Sequence, residues 1–266
     1  MEFALGYDIL AMLFAIAMIA GFIDTIAGGG GLLTVPALLA LGLPPIQALA
    51  TNKLQSFGGS FSASLYFVRR KVVNLSEQKW CIFCTFVGSV SGATFVKYMQ
   101  ADLLKQLLPI LVIAVGLYFL FSPSLGEHEG KKRLTSFMFG LAAGFPIGLY
   151  DGFFGPGTGS FLALAFVVLL GFNLPKATAH AKVLNCTSNI AALSFFILGG
   201  YVIWSIGLVM LVGQFIGARI GANLVLTKGQ KLIRPMLICV SSIMSCKLLY
   251  DNHSDLIMQW FHQIIG

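Results

Sequence analysis

Charge is scarce in this sequence. Only 10% of its 266 residues are Asp, Glu, Lys or Arg, while 57% are apolar and the mean hydropathy is +0.87. Soluble chains run at roughly 45–50% apolar and about 25% charged, so these charges are too few to coat a surface in water. A soluble domain is excluded, as is a disordered or fibrous chain. Enzyme signatures are missing too. There is no P-loop to hold a nucleotide, no carboxylate pair at hydrolase spacing and no Gly-x-Ser-x-Gly elbow. The five cysteines, at 81, 84, 186, 239 and 246, all sit in apolar runs and imply no disulfide framework. Cys81-Ile-Phe-Cys84 has redox or metal spacing, but no second pair and no nearby His completes a site, so both read as small apolar residues on a helix in lipid. No Lys or Arg precedes the apolar run Ile9–Ile23, so it reads as a retained first span and not as a signal peptide.

Long apolar runs fill the space that charge leaves. A helix crosses a bilayer with about 20 residues, and ten segments can be read: 8–27, 32–42, 47–68, 80–97, 106–122, 134–153, 160–171, 178–198, 203–226 and 235–250. The expected fold class is an all-α polytopic membrane protein. Leu32–Gly42 and Ser160–Gly171 are short, each covering about half of a ~30 Å hydrocarbon core. They either cross with extended flanks or are half-helices. The net charge of +7 comes from basic loops: Arg69, Arg70, Lys71 and Lys79; Lys131, Lys132 and Arg133; Lys228, Lys231 and Arg234. With the short segments counted as crossings, all three loops fall on one side, hence the cytoplasm, and both termini on the other. Lys97, Lys105 and Lys247 lie toward the outer side, so the rule is a bias. No basic stripe interleaved with aromatics suggests nucleic acid.

The two halves repeat. Gly21-Phe-Ile-Asp24 matches Gly148-Leu-Tyr-Asp151, and each is followed by glycines, Gly28–Gly31 in one half and Gly155-Pro-Gly-Thr-Gly159 in the other. Leu41-Gly42-Leu43 then matches Leu170-Gly171-Phe172, and Ala48–Lys53 matches Ala177–Lys182. Val87-Gly88…Gly92-Ala93 matches Val212-Gly213…Gly217-Ala218, and Pro109 matches Pro235. The offset stays between 124 and 129 residues. Five segments per half is an odd number, so the second half enters from the opposite side, as in the inverted repeats of secondary transporters. The expected division is an N-terminal transmembrane repeat over 1–125, a basic linker over 126–133 and a C-terminal repeat over 134–266. Matched glycine-interrupted segments point to a substrate site near the midplane.

Lys53 and Lys182 occupy equivalent places, a few residues into apolar helices. A lysine at membrane depth costs about 2.5–3.5 kcal/mol and usually serves function; snorkelling to an interface is the alternative. Two lysines beside unwound glycines (Gly28, Gly29 and Gly30; Gly155 and Gly157) would suit a small anion, with free N–H groups pointing inward. Thr51, Asn52, Gln55 and Ser56 accompany the first lysine, and His180, Asn185, Thr187, Ser188 and Asn189 the second. They either replace an oxyanion's hydration shell or bond helix to helix. Asp24 and Asp151 are charge partners for the lysines or proton carriers. His180 is a proton-coupling candidate or a structural histidine. Arg219 lies in a glycine-spaced packing motif, Gly213–Gly221.

At Gly21–Pro36 with Ala50-Thr-Asn-Lys53, and at Tyr150–Ser160 with Ala179-His-Ala-Lys182, the sequence resembles the TauE/SafE family of sulfite and sulfonate exporters, along its whole length. The resemblance implies a multi-pass permease of the bacterial inner membrane that moves small organosulfur or sulfur-oxyanion species, usually outward. Together these readings give a secondary transporter for a small anion, driven by ion or proton gradients, with no ATP, metal or cofactor. A channel-like or scaffold membrane protein is the alternative. Expected partners are the anion and the lipid bilayer, with self-association left open.

Overall fold

The computed structural model describes residues 6–95 and 128–229, together with 231, 233, 235 and 236. The expected segment 106–122, nearly all of 235–250, and Lys97, Lys105, Lys247, Arg234, Pro109, Cys239 and Cys246 lie outside the described residues. The described residues form helices joined by short loops, with no strand among them. In the first half these are α1 (Tyr7–Ala27), α2 (Gly31–Ala40), α3 (Pro45–Arg69) and α4 (Leu75–Phe95). The second half holds α5 (Ser136–Phe139), a π-helical turn (Gly140–Gly144), α6 (Phe145–Phe153), α7 (Thr158–Leu170), α8 (Leu174–Leu198) and α9 (Trp204–Lys228).

Local chemistry sets the boundaries. Gly28, at φ +75°, ends α1 in the left-handed conformation that glycine alone adopts cheaply. Prolines open α3 and α8, where a missing N–H goes unfelt. Asn173 caps α8 by accepting from Lys176 N–H. The expected span 134–153 is one column of helix, but a π turn interrupts it at Gly140, where a Cβ would stand only 3.0 Å from the Trp80 carbonyl oxygen and from Cys84 Sγ. Three helices, Tyr7–Ala27, Leu174–Leu198 and Trp204–Lys228, are long and apolar enough to cross a membrane. α3 has the length, at 25 residues, but its buried Thr, Asn, Lys, Gln and Ser dilute its hydropathy. The two short segments are α2, with 10 residues, and α7, with 13; at 1.5 Å per residue they reach only about 15 and 20 Å.

The main helix contacts of the two halves correspond among the described residues. α1 lies along α9, as α6 lies along α4; α3 packs on α9, as α8 packs on α4; α3 and α8 pack on each other at the centre. The halves are therefore interlocked, each placing its last described long helix against the other's first. Glycines permit the close approach. A Cβ on Gly213, Gly217 or Gly221 would strike the α1 backbone at Phe14, Met18 or Phe22. One on Gly88 or Gly92 would strike Phe145 or Leu149. Gly217→Leu should therefore lower stability by about 3 kcal/mol, the upper end for overpacking. Ile216→Leu, on an outward face, should leave it unchanged; melting of the purified protein in detergent checks both.

The ends of the bundle differ in chemistry. At one end the turn after α2, the start of α1 and the start of α9 pack around Leu13, Leu38, Leu43 and Ile206. At the other the basic loops gather. Gly130 N–H and Arg133 N–H bond to Gly171 and Leu169 at the end of α7, Lys71 and Lys132 line one cavity, and Gly229 lies near Pro175. Cys81 and Cys84 are buried free thiols, and Cys81 Sγ donates to Ser136 O.

Candidate functional site

α1 breaks at Gly28, and α6 gives way to the turn 154–157 before α7. The two breaks lie back to back. A Cβ at Gly28 would overlap the Ser160 amide and stand 2.8 Å from Gly159 Cα, and Ser160 Oγ donates to the Ala27 carbonyl. From this shared centre α2 runs toward the uncharged end and α7 toward the basic one. Unwound backbone at such depth is tolerated only where protein or water satisfies its polar groups.

Four charges meet there, and they pair across the halves. Lys53 Nζ lies 2.9 Å from Asp151 Oδ1, and Lys182 Nζ lies 2.8 Å from Asp24 Oδ2. Each lysine thus takes the aspartate of the opposite half. Both ammonium groups and the Asp151 carboxylate are almost fully buried, while the Asp24 side chain is 12% exposed. Lys53 also donates to the Asp151 carbonyl and, at 3.4 Å, to Asn189 Oδ1. Removing one partner of such a pair strands a charge without solvent.

The carboxylates also engage the glycine breaks. Gly30 N–H donates to Asp24 Oδ1 at 3.2 Å, while Oδ2 of the same residue takes Lys182. Thr158 Oγ1 donates to Asp151 Oδ1 at 2.9 Å, and Ser188 Oγ donates to Oδ2. Each aspartate therefore occupies the kind of place an incoming oxyanion would take, between an ammonium and a break in a helix. Asp151 has two hydroxyl partners where Asp24 has none, because the counterparts of Thr158 and Ser188 in the first half are Gly31 and Gly59. The Asp24 pair is the looser one.

A cavity of about 10 Å³, room for about one water, lies between these groups. All the residues that line it were singled out in the sequence: Asp24, Asn52, Lys53, Ser56, Asp151, Asn185 and Asn189, with Gly28, Gly31, Gly155, Gly157 and Gly159 of the two glycine blocks. Asn52 is held by two donors on its Oδ1, Thr34 Oγ1 and Gln55 Nε2, both at 2.7 Å. That turns its Nδ2 toward Gly31 and the cavity. Lys182 reaches the site through Asp24. Gly29 and Gly30 lie behind the lining, with Gly30 acting through its N–H.

Two residues stand apart. Thr51 Oγ1 accepts from Ile203 N–H and secures the start of α9. His180 lies at the basic end, its ring against Phe166 and Phe172, and is not brought to the ion pairs. Gly159 and Thr158 gain importance only in three dimensions. Their signal was the position opposite the first half's glycine block, which marks a break but not which atoms turn inward. Arg219 sits over the Tyr66 ring at 4.1 Å, beside the helix contact made by its neighbouring glycines.

The "Sulfite exporter TauE/SafE" family model matches residues 13–248. The chain is 65% identical over 252 residues to the "Probable membrane transporter protein YfcA" of Escherichia coli (strain K12), covering 95% of this chain and 94% of that one. It is 51% identical to a "Probable membrane transporter protein" of Haemophilus influenzae, covering 97% and 99% of the two chains. A more distant relative, "Probable membrane transporter protein YunE" of Bacillus subtilis, is 23% identical across 91% of this chain. With a family model spanning most of its length and relatives above half identity covering nearly all of it, this chain belongs to the TauE/SafE family.

Proposed function

We propose that the chain is a secondary transporter of a small anion, bound at the interface of two inverted repeats in the bacterial inner membrane. One observation carries this: the reciprocal pairs Lys53–Asp151 and Lys182–Asp24, buried where two broken helices meet. The opposite courses of α2 and α7, and the exchangeable packing of the halves, support the inverted arrangement.

Charge balance gives the mechanism. Two ammoniums and two carboxylates are neutral together, and a bare anion would leave a net negative charge where the dielectric is low. An anion that enters with one proton keeps the site neutral. The proton neutralises an aspartate, which releases its lysine and its N–H or hydroxyl donors, and the anion takes them. Asp24, with the fewer donors, yields first. Asn52, Asn185 and Asn189 replace hydration around the anion, and the glycines let the backbone approach it. Asp24 and Asp151 are then the coupling groups, and neither ATP nor a metal has a role. By family the substrate is a sulfite or organosulfonate species and the direction outward, down the anion's own gradient with the proton carried along.

Right-side-out vesicles offered sulfite, organosulfonates and carboxylates test this. Saturable flux that responds to an imposed pH gradient is expected, for a sulfur oxyanion. Flux that is linear in concentration and insensitive to gradients would instead mark a channel or scaffold.

The topology carries its own expectation. With 69–79, 123–133 and 227–234 in the cytoplasm, both termini are periplasmic. Alkaline phosphatase fused after Gly266 should be active; an inactive fusion with fluorescent GFP at the same place would reverse the orientation.

A further inference from the structure

Besides the small central cavity, the described residues enclose a second, polar one at the basic end, of about 300 Å³. That is within the range of ligand pockets, roughly 300–1,000 Å³. Lys71, Lys132 and Lys176 line it, with Glu77 as the one acid on the wall. Lys176 is paired at 2.8 Å with Glu129, whereas Lys71 and Lys132 have no ion-pair partner among the described residues. A positive excess therefore remains, and the first turns of α4 and α8, also in the wall, add their N-terminal dipoles.

Two further observations indicate that this cavity holds a ligand. Gln78 and His180 line it and are over nine-tenths buried, yet Gln78 Oε1 and His180 Nδ1 have no hydrogen-bond partner among the described residues; both are acceptors, so they call for a donor, such as the hydroxyl of a protonated oxyanion or a water that hydrates one. Buried polar atoms of this kind are normally satisfied. The other observation is backbone strain. Lys71, at φ +58°, is the one non-glycine residue with positive φ among those described. It ends α3 in a turn where Lys71 N–H bonds to Val68 O and Val72 N–H to Phe67 O. In the second half Gly200 and Tyr201 make the same two bonds, to Ile197 O and Phe196 O, and Gly200 has φ +68°. Glycine is what this turn favours. The first half holds a lysine there against the strain, and such strain accumulates where a side chain has a task.

We propose that this cavity is an antechamber that collects oxyanions from the side of the basic loops before they reach the Lys–Asp site. The central pairs obey the two-fold exchange of the halves; the antechamber does not, since Gly199–Tyr201 at the equivalent place carries no charge. The asymmetry gives the carrier a loading side. Positive potential in a cleft raises the local anion concentration and the encounter rate, so it acts on KM and leaves kcat alone. This role rests on the transport reading; anion binding in the cavity does not.

The test uses the purified full chain in detergent with radiolabelled sulfate as probe, at low and high ionic strength. Lys71→Gln/Lys132→Gln should weaken sulfate binding roughly tenfold at low salt, and in inside-out vesicles, which present the basic loops to the added anion, it should raise KM with kcat unchanged. Lys71→Gly relieves the strain, so the protein should melt no lower than wild type while binding sulfate more weakly. Lys53→Ala/Asp151→Ala removes any sulfate held at the central site, so the loss caused by the Lys71 and Lys132 changes should persist in that background. Sulfate affinity unchanged in Lys71→Gly and in the double variant, with both folded, would overturn the antechamber. If wild type binds sulfate through these lysines but carries no anion, the anion site in the cavity stands, and the transport reading falls with the loading role that rests on it.

Discussion

Lys53→Ala should destabilise the folded protein by about 3–5 kcal/mol, the loss seen when one partner of a buried ion pair is removed. The carboxylate of Asp151 would stay behind with two hydroxyl donors and no counter-charge. Asp151→Ala should cost as much, because it strands an ammonium that is only 2% exposed. Lys53→Ala/Asp151→Ala removes both charges together and should recover part of the loss, since no charge is stranded, less the cost of the cavity the two truncations leave. The Lys182–Asp24 pair should show the same pattern with smaller losses, as the Asp24 carboxylate retains some access to solvent. Thermal melting of the four single and two double variants in one detergent checks the coupling. Additive losses would mean that the charges do not depend on each other.

Gly28→Ala should cost about 3 kcal/mol and impair transport. Alanine at φ +75° pays about 1–2 kcal/mol for the left-handed backbone. Its Cβ would also overlap the Ser160 amide, which adds an overpacking cost of roughly 1–3 kcal/mol. Gly42→Ala separates the two contributions, because Gly42 has φ +78° and nothing within 4 Å of a new Cβ. It should cost only the backbone part and leave transport intact. Gly30→Ala and Gly157→Ala extend the comparison to the anion. A Cβ on Gly30 would lie 2.6 Å from Asp24 Cβ and displace its carboxylate, and Gly157 has φ +85°. If the breaks hold the anion, both variants should raise KM in whatever fraction folds. Lower stability with unaltered KM at both sites would reduce the glycines to packing.

The bundle was largely legible because apolar runs between basic loops leave few alternatives. Segments read as 8–27, 47–68 and 203–226 fold as Tyr7–Ala27, Pro45–Arg69 and Trp204–Lys228. α4 and α8 start five and four residues earlier than their apolar runs, because Ser76, Glu77 and Gln78, or Pro175 and Lys176, are polar or helix-opening residues that hydropathy assigns to loops. The π turn at Gly140–Gly144 has no apolar signature, since it arises from contact with α4. The matched lysines and aspartates were visible as an internal repeat. Their pairing across the halves was not, because a repeat gives equivalence of positions and says nothing of which copies touch. His180 was grouped with Lys182 through closeness in sequence. Two residues along a helix is about 200° of rotation, at 3.6 residues per turn, which turns the two side chains to nearly opposite faces. That separates the antechamber from the ion pairs.

The central claim is that the cross-half charge pairs are the anion's binding site, and the double variant that keeps the fold tests it most directly. Wild type, Lys53→Ala/Asp151→Ala and Lys182→Ala/Asp24→Ala would be reconstituted at equal levels, confirmed by melting and by gel filtration. Sulfite flux would then be followed under an imposed pH gradient. Wild type should show saturable flux accompanied by protons moving with the anion, and both double variants should be folded and inactive. Wild-type flux in either folded double variant would contradict the account.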